Sequence, residues 1–125
     1  MWQRILLLAI VGGAGTLARY GMSVGVQRAY GGPFPFGTLA VNVLGCFLFG
    51  IVWPLAEDRL RISGESRLII LTGFMGAFTT FSTFAFETGQ FLRESEWMLA
   101  AANVLANNII GLAALLVGLM IGRAI

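Results

Sequence analysis

The sequence predicts an all-α integral membrane protein with four transmembrane helices. Of its 125 residues, 58% are hydrophobic and 11% are charged, whereas soluble domains are about 25% charged. A helix needs roughly 20 mostly apolar residues to span a bilayer, and four segments meet this requirement: residues 5–26, 36–56, 68–92 and 97–122. Because these spans use nearly all of the chain, we expect a single four-span membrane domain, residues 1–125, surrounded by membrane lipid.

The first span carries a stripe of small residues that includes one charge. At helical spacing the stripe consists of Gly12, Gly15, Thr16, Arg19 and Ser23. Small residues let helix backbones approach closely in lipid, so we expect the glycines to serve packing. A charge inside a span is expensive and normally faces the protein interior or an aqueous cavity. Arg19 is therefore expected either to have a structural role, by anchoring a loop or by snorkelling to the interface near Gln27, or to attract anions to a vestibule. The glycines and Arg19 also argue against a cleaved signal peptide.

The second span places Thr38, Asn42, Gly45 and Phe49 on one helix face. Asn42 is its only strongly polar side chain, and its amide offers two N–H donors and one acceptor oxygen. Such a group suits either a hydrogen bond between helices or the wall of a pore. Thr38, one turn earlier, favours the pore.

The third span is built to be interrupted. From Leu68 to Phe86 nineteen residues carry no charge, yet the middle of this stretch combines glycines, hydroxyls and phenylalanines. Irregular backbone at membrane depth is tolerated only where protein or a water-filled path covers it, so we expect the functional site here. Phe81 and Phe84 are three residues apart and share a face if the chain is helical. Aromatic rings have positive edges, which would suit an anion.

The fourth span combines a polar half with a half of small residues. Asn103, Asn107 and Gly111 recur every four residues, and the stripe continues to Gly118 and Gly122. The two asparagines form either a polar track along a pore or hydrogen bonds between helices. The glycines indicate close packing, at a dimer contact or a helix crossing. Asn108 lies off this face and is expected to bond a neighbouring helix.

Several strings in the chain closely resemble the Fluc/CrcB family of fluoride channels. They are Gly12-Gly13-Ala14-Gly15 with Arg19-Tyr20, Gly37-Thr38-Leu39-Ala40-Val41-Asn42 with Gly45, and Thr72-Gly73-Phe74-Met75-Gly76 leading into Thr79-Thr80-Phe81-Ser82-Thr83-Phe84. The resemblance covers most of the chain, and the last string is long and specific.

The resemblance implies an antiparallel, dual-topology homodimer with two separate fluoride pores. By that analogy Asn42 lines a pore, and Phe81 and Phe84 form the family's phenylalanine pair, with the rings of each pore coming from different subunits. Ser82 and Thr83 would be hydroxyl donors on the fluoride route. In the fourth span the family pattern has tyrosine or serine hydroxyls where this chain has asparagines.

The resemblance also implies a structural sodium ion at the centre of the dimer interface. The main-chain carbonyls of Gly76 and Thr79 match the positions that hold it. Glu87 matches a family acidic position, whose role stays open. Mixed insertion is compatible with the modest arginine bias: Arg4, Arg59, Arg61, Arg67 and Arg123 lie on the side of the termini, against Arg28, Arg93 and, if counted, Arg19 on the other side.

Physical chemistry agrees with a fluoride channel. Fluoride is small and tightly hydrated, so a selective path must replace its water with many hydrogen-bond donors and still release the ion. Amides, hydroxyls and ring edges are donors of moderate strength. In the inner membrane of a bacterium, a potential that is negative inside would drive fluoride out passively, by about 2.3 kcal/mol per charge per 100 mV.

Four other classes of protein fit the sequence less well than a channel. A small proton-coupled multidrug-type exporter is also short and dimeric, but it needs a carboxylate within the membrane, and Glu87 lies at a span end. A membrane scaffold would use every glycine and asparagine for packing. An enzyme is not expected, because the chain has no histidine, metal cluster or activated nucleophile pair. A nucleic-acid role is also not expected, since basic patches with interleaved aromatic residues are absent.

Overall fold

The computed structural model describes residues 1–59 and 62–125, and every regular element in these ranges is helical. Arg61, which enters the arginine count, lies outside them. The α-helices are α1 (Trp2–Tyr30), α2 (Phe36–Pro54), α3 (Gly64–Arg67), α4 (Gly76–Phe78), α5 (Phe81–Arg93), α6 (Trp97–Leu105) and α7 (Gly111–Ala124). Wider π-helical turns occupy Leu55–Arg59, Leu68–Met75 and Ala106–Ile110.

Four segments, each built of helices, are long and apolar enough to cross a membrane: Trp2–Tyr30, Phe36–Asp58, Gly64–Arg93 and Trp97–Ala124. The prediction of an all-helical, multi-pass membrane protein with four spans is therefore confirmed. The helices extend past the predicted apolar spans because the polar residues at their ends also adopt helical backbone. In α1, for example, Arg28 lies in the last turn, where a cation interacts favourably with the helix dipole.

The two residues between α4 and α5 have extended backbone. Thr79 has φ −88° and ψ 160°, and Thr80 has φ −148° and ψ 112°. Thr80 also caps α5, because its hydroxyl oxygen accepts the N–H of Thr83 at 3.2 Å, which satisfies one of the free donors at a helix start. The third span thus changes its backbone conformation inside the stretch that carries the phenylalanines.

Glycines allow the spans to approach closely, as their spacing predicts. A Cβ added to Gly15 would lie 2.5 Å from the carbonyl oxygen of Phe74 in the third span. A Cβ on Gly122 would lie 2.6 Å from the carbonyl oxygen of Ile51 in the second span. The glycines of the fourth span therefore lie where this span crosses α2 of the same chain. The α2 helix packs between the first and fourth spans.

The turn between α1 and α2 is held by one side chain. Gly31 has φ 68°, a left-handed conformation that glycine adopts without steric cost. Gln27 donates from Nε2 to the carbonyl oxygens of Gly32 and Phe34, at 3.2 and 3.1 Å. Its Oε1 accepts the N–H of Gly37 at 3.1 Å. These bonds fix the entry into α2 and shape the cavity at this end of the molecule.

Candidate functional site

Two phenylalanine rings lie side by side at the start of α5. The ring centroids of Phe81 and Phe84 are 5.4 Å apart, and the ring planes are tilted by 59°, within the range that aromatic pairs prefer. Phe84 is buried, with 7% of its surface exposed, whereas Phe81 is 78% exposed. One ring is therefore packed inside the chain, and the other projects from its surface.

Asn42 from the second span binds the extended backbone before these rings. Its Nδ2 donates to the carbonyl oxygen of Thr80 at 3.1 Å, and its Oδ1 accepts the N–H of Thr80 at 2.8 Å. Extended residues leave the helical hydrogen-bond ladder, so their polar groups need other partners. Beside this pair, the methyl group of Thr79 fills the space where a Cβ of Gly45 would lie. The polar face of the second span, with Asn42 and Gly45, thus contacts the extended backbone of the third span.

The asparagines of the fourth span join the same network. Asn42 donates from Nδ2 to Oδ1 of Asn107 at 2.9 Å, and Asn107 donates from its own Nδ2 to Oδ1 of Asn103 at 3.0 Å. Asn103 is fully buried, with 0% of its surface exposed, and it donates to Oγ1 of Thr88 at 3.0 Å. Both interpretations of the polar track therefore remain compatible with this arrangement, since the amides bond one another and lie beside a cavity.

That cavity has a volume of about 220 Å³ and lies against the phenylalanine pair. Its lining side chains are uncharged: Asn42, Cys46, Thr79, Thr80, Phe81, Phe84, Asn107 and Asn108. The lining carries no fixed positive charge, and its amide and hydroxyl donors already bond other groups of the chain. An anion there would meet the positive edges of the rings and would compete with these bonds for the amide and hydroxyl donors.

A second cavity of about 370 Å³ opens one turn earlier along α2. It includes Thr38 and Glu87, and the Thr38 hydroxyl donates to Oε1 of Glu87 at 2.6 Å. The other oxygen, Oε2, is buried without a partner among the described residues. Since Thr38 and Asn42 are four residues apart, they are separated by about 6 Å of helix rise. The two cavities thus lie close together along one face of α2.

Arg19 acts on the backbone of the third span. Its Nε donates to the carbonyl oxygen of Ala77 at 2.9 Å, and that carbonyl belongs to the last turn of α4. Carbonyls at a helix C-terminus lack helical partners and favour a cation. Of the two alternatives for Arg19, an anchoring contact is present in the structure.

The carbonyls of Gly76 and Thr79 are released from helical pairing. In a continuous helix they would accept the N–H groups of Thr80 and Thr83, four residues later. Here the N–H of Thr80 goes to Asn42, and that of Thr83 goes to the hydroxyl of Thr80. Two neutral carbonyl oxygens, one at the start of α4 and one on the extended backbone, thus lack these helical partners, and hard cations prefer oxygen ligands. They are of the ligand type that a sodium ion would need.

Other predicted residues are placed differently. Ser82 is exposed on the outer surface of α5 and does not line the cavity beside the rings. Thr83 turns inward, and its Oγ1 accepts the hydroxyl of Thr80 at 2.9 Å. Asn108 was expected to bond a neighbouring helix, but it donates to the carbonyl of Val104 in its own helix at 2.8 Å. That expectation was wrong because the amide reaches a carbonyl one turn back more easily than another helix.

Sequence reasoning missed three polar residues that hold this region together. Gln27 fixes the turn, Thr80 caps α5, and Thr88 receives the amide of Asn103. A signal for Thr88 was present, since it lies four residues after Phe84 on the same helix face. Its partner on the fourth span could not be deduced from spacing alone.

Comparisons with known proteins identify related sequences. Residues 6–119 match the family described as CrcB-like protein, Camphor Resistance (CrcB). A protein of Nitrosococcus oceani named fluoride-specific ion channel FluC is 57% identical over 125 residues, which is the full length of both chains. Proteins with the same name from Desulforapulum autotrophicum and Solidesulfovibrio magneticus are 47% and 49% identical, again over the full length of both chains.

The family match reaches into all four spans, and both phenylalanines, Asn42 and the two asparagines of the fourth span lie in the matched range. The relatives align without truncation at either end. The resemblance seen in the sequence is therefore confirmed, and this chain belongs to the CrcB-like family.

Proposed function

We propose that this protein is a fluoride-selective ion channel that exports fluoride passively across the bacterial inner membrane and so lowers the cytoplasmic concentration. The observation that carries the proposal is the phenylalanine pair, which lies against an uncharged cavity lined by amides and hydroxyls. It is supported by relatives that are named fluoride-specific ion channels. Those names also favour a channel over an enzyme, and give no support to the multidrug-type exporter.

The proposed functional unit is an antiparallel homodimer of this four-span domain, with two pores. Phe81 supports it, because a phenylalanine that is 78% exposed beside a buried partner ring leaves the pair open on one side. A second copy could close that side and supply rings to the same pore. Ser82, exposed next to Phe81, would then face the partner and place its hydroxyl on the route.

The proposed fluoride route follows one face of the second span. It enters through the cavity at Thr38 and Glu87, passes Asn42, and reaches the rings of Phe81 and Phe84. Thr83, Asn103 and Asn107 belong to the same polar region. The extended backbone at Thr79 and Thr80 would serve this route, because it brings the start of α5 into contact with Asn42 of the second span.

A structural sodium ion at the dimer interface belongs to the same proposal. The carbonyls of Gly76 and Thr79 would be its ligands in each subunit. This assignment is supported because the N–H groups of Thr80 and Thr83, which these carbonyls would accept in a continuous helix, bond other acceptors. The ion would neutralise partial charges where two broken helices meet, and Arg19 would hold the neighbouring carbonyl of Ala77.

The first prediction tests transport directly. Liposomes that contain the purified protein and are loaded with fluoride should release it when a potassium gradient with valinomycin clamps the voltage. Chloride-loaded liposomes should retain their anion, because uncharged donors select the ion that gains most from dense hydrogen bonding. Ion-selective electrodes measure both. Absence of fluoride release, or equal release of chloride, would contradict the proposal.

The second prediction concerns the cation. Purifying and assaying the protein with N-methylglucamine in place of sodium should lower fluoride release at least about tenfold, the loss that accompanies about 1.4 kcal/mol. Restoring sodium should restore release, whereas potassium should restore it less, since the carbonyl site is formed by few ligands of fixed spacing. Equal release in both media would show that no sodium is needed.

A further inference from the structure

We propose that Thr88 is a positioning residue for Phe84. Thr88 belongs to a relay of hydrogen bonds that all point the same way. The relay starts at α5, passes through the second and fourth spans, and returns to α5. The proposal rests on the proposed channel function. It concerns a residue that lies outside the phenylalanine cavity and outside the set of predicted pore residues.

The relay begins at the N-terminus of α5. The N–H of Thr80 donates to Oδ1 of Asn42 at 2.8 Å, and Nδ2 of Asn42 donates to Oδ1 of Asn107 at 2.9 Å. Nδ2 of Asn107 then donates to Oδ1 of Asn103 at 3.0 Å. Each amide uses its oxygen as acceptor and its nitrogen as donor, so all three point the same way along the relay.

The relay ends on the helix from which it started. Nδ2 of Asn103 donates to Oγ1 of Thr88 at 3.0 Å, and the Thr88 hydroxyl donates to the carbonyl oxygen of Phe84 at 2.9 Å. Thr80 and Thr88 are eight residues apart, and Phe84 lies midway between them. The segment that carries the ring is therefore hydrogen-bonded to α2 at one end, through Thr80, and to α6 at the other end, through Thr88.

Thr88 is the point at which this relay is joined to Phe84. Its hydroxyl accepts from the fourth span and donates to its own helix, and no other hydroxyl or amide of the relay contacts that carbonyl. Hydrogen bonds in such a chain polarise and strengthen one another in a low-dielectric interior. Asn103 is fully buried, so the loss of its acceptor leaves an amide without a partner, which forces the local structure to shift.

Thr88 does not line the proposed fluoride route. It lines a separate, largely apolar pocket with Leu92, Trp97 and Ala100, on the side where α5 meets α6. A direct contact with the ion is therefore not the basis of its role. A hydroxyl that bonds the carbonyl one turn back could also serve the helix alone, and the experiment must separate these two roles.

The experiment compares fluoride currents of purified variants in planar bilayers, where the current of each channel is measured separately from the number of active channels. We expect Thr88→Val to lower the current per channel about tenfold, equivalent to about 1.4 kcal/mol of barrier. Thr88→Ser keeps the hydroxyl and should conduct as the parent protein does. Thr72→Val, an exposed threonine of the same span outside the relay, is the matched control and should also conduct normally.

A double substitution tests the relay itself. Asn103→Leu already interrupts it, so adding Thr88→Val should lower the current little further, whereas independent roles would multiply the two effects. If Thr88→Val yields no channels, Thr88→Cys replaces it, because a thiol is a weak donor and acceptor and should give an intermediate current. A parent-like current per channel for Thr88→Val or Thr88→Cys, or multiplied effects in the double variant, would overturn the proposal. An absence of fluoride current in the parent protein would instead refute the proposed function.

Discussion

Replacement of both phenylalanines by isoleucine, Phe81→Ile with Phe84→Ile, is expected to abolish fluoride release while leaving assembly intact. Isoleucine is apolar and of moderate size, so the packing around the site changes little. It lacks a ring edge, however, and the positive edge of an aromatic ring is the group that would attract an anion that has left its water. A loss of about 1.4 kcal/mol for each ring would already lower the release about tenfold.

The two positions differ in burial, and this difference predicts different side effects. Phe84 is buried, and its substitution removes part of the packing between α5 and the second span. Phe81 is mostly exposed in the single chain, so its substitution should not destabilise the fold of one subunit. Each single variant should nevertheless lose most of its fluoride release, because the two rings act on the same ion.

Phe86→Ile is the matched control for the ring substitutions. Phe86 is 62% exposed on the same helix, but it lies away from the face that Phe81 and Phe84 share. Its variant should release fluoride at close to the parent rate in the liposome assay, and size-exclusion chromatography of all variants checks that assembly is unchanged. Parent-like release by the double variant would rule out an ion route beside the rings.

The fold was largely accessible from the sequence, because hydrophobic length alone decides a spanning helix. Long, mostly apolar segments identified all four spans, and glycine spacing indicated close packing at Gly122, which the structure shows to be a crossing with the second span. The pairing of Phe81 with Phe84 followed from their spacing of three residues. These features depend on short stretches of chain, which a single sequence displays directly.

The hydrogen-bond partners were less accessible, since they join residues far apart in the chain. Asn42 and Asn107 are separated by 65 positions, yet their amides are 2.9 Å apart. The sequence shows that each amide needs a partner, but only the packing of the spans decides which one it finds. Arg19 is a similar case, because its partner is a backbone carbonyl at Ala77 that exists as a free acceptor only where α4 ends.

Asn42→Asp is expected to eliminate fluoride release although the two side chains have the same shape. Aspartate can still accept the N–H of Thr80, but it cannot donate to the carbonyl of Thr80 or to Asn107. Each buried acceptor left without a donor costs about 1–3 kcal/mol. When ionised, the new carboxylate would also repel a fluoride ion at 4 Å by about 4 kcal/mol near a protein surface. Both effects act against transport, and together they correspond to a more than about hundredfold loss of fluoride release. The liposome assay resolves a loss of this size.

Asn108→Asp provides the matched control, because Asn108 lines the same cavity but bonds only the carbonyl of Val104 in its own helix. A loss confined to Asn42→Asp would mean that the hold on the extended backbone matters in addition to the charge. Equal losses in the two variants would assign the effect to charge repulsion alone. Asn42→Ser then separates these causes, since it introduces no charge and is too short to bridge Thr80 and Asn107 at once. We expect it to lower fluoride release at least about tenfold through the lost hydrogen bonds. Parent-like release by Asn42→Ser would show that these hydrogen bonds are not needed and that the loss in Asn42→Asp comes from the new charge.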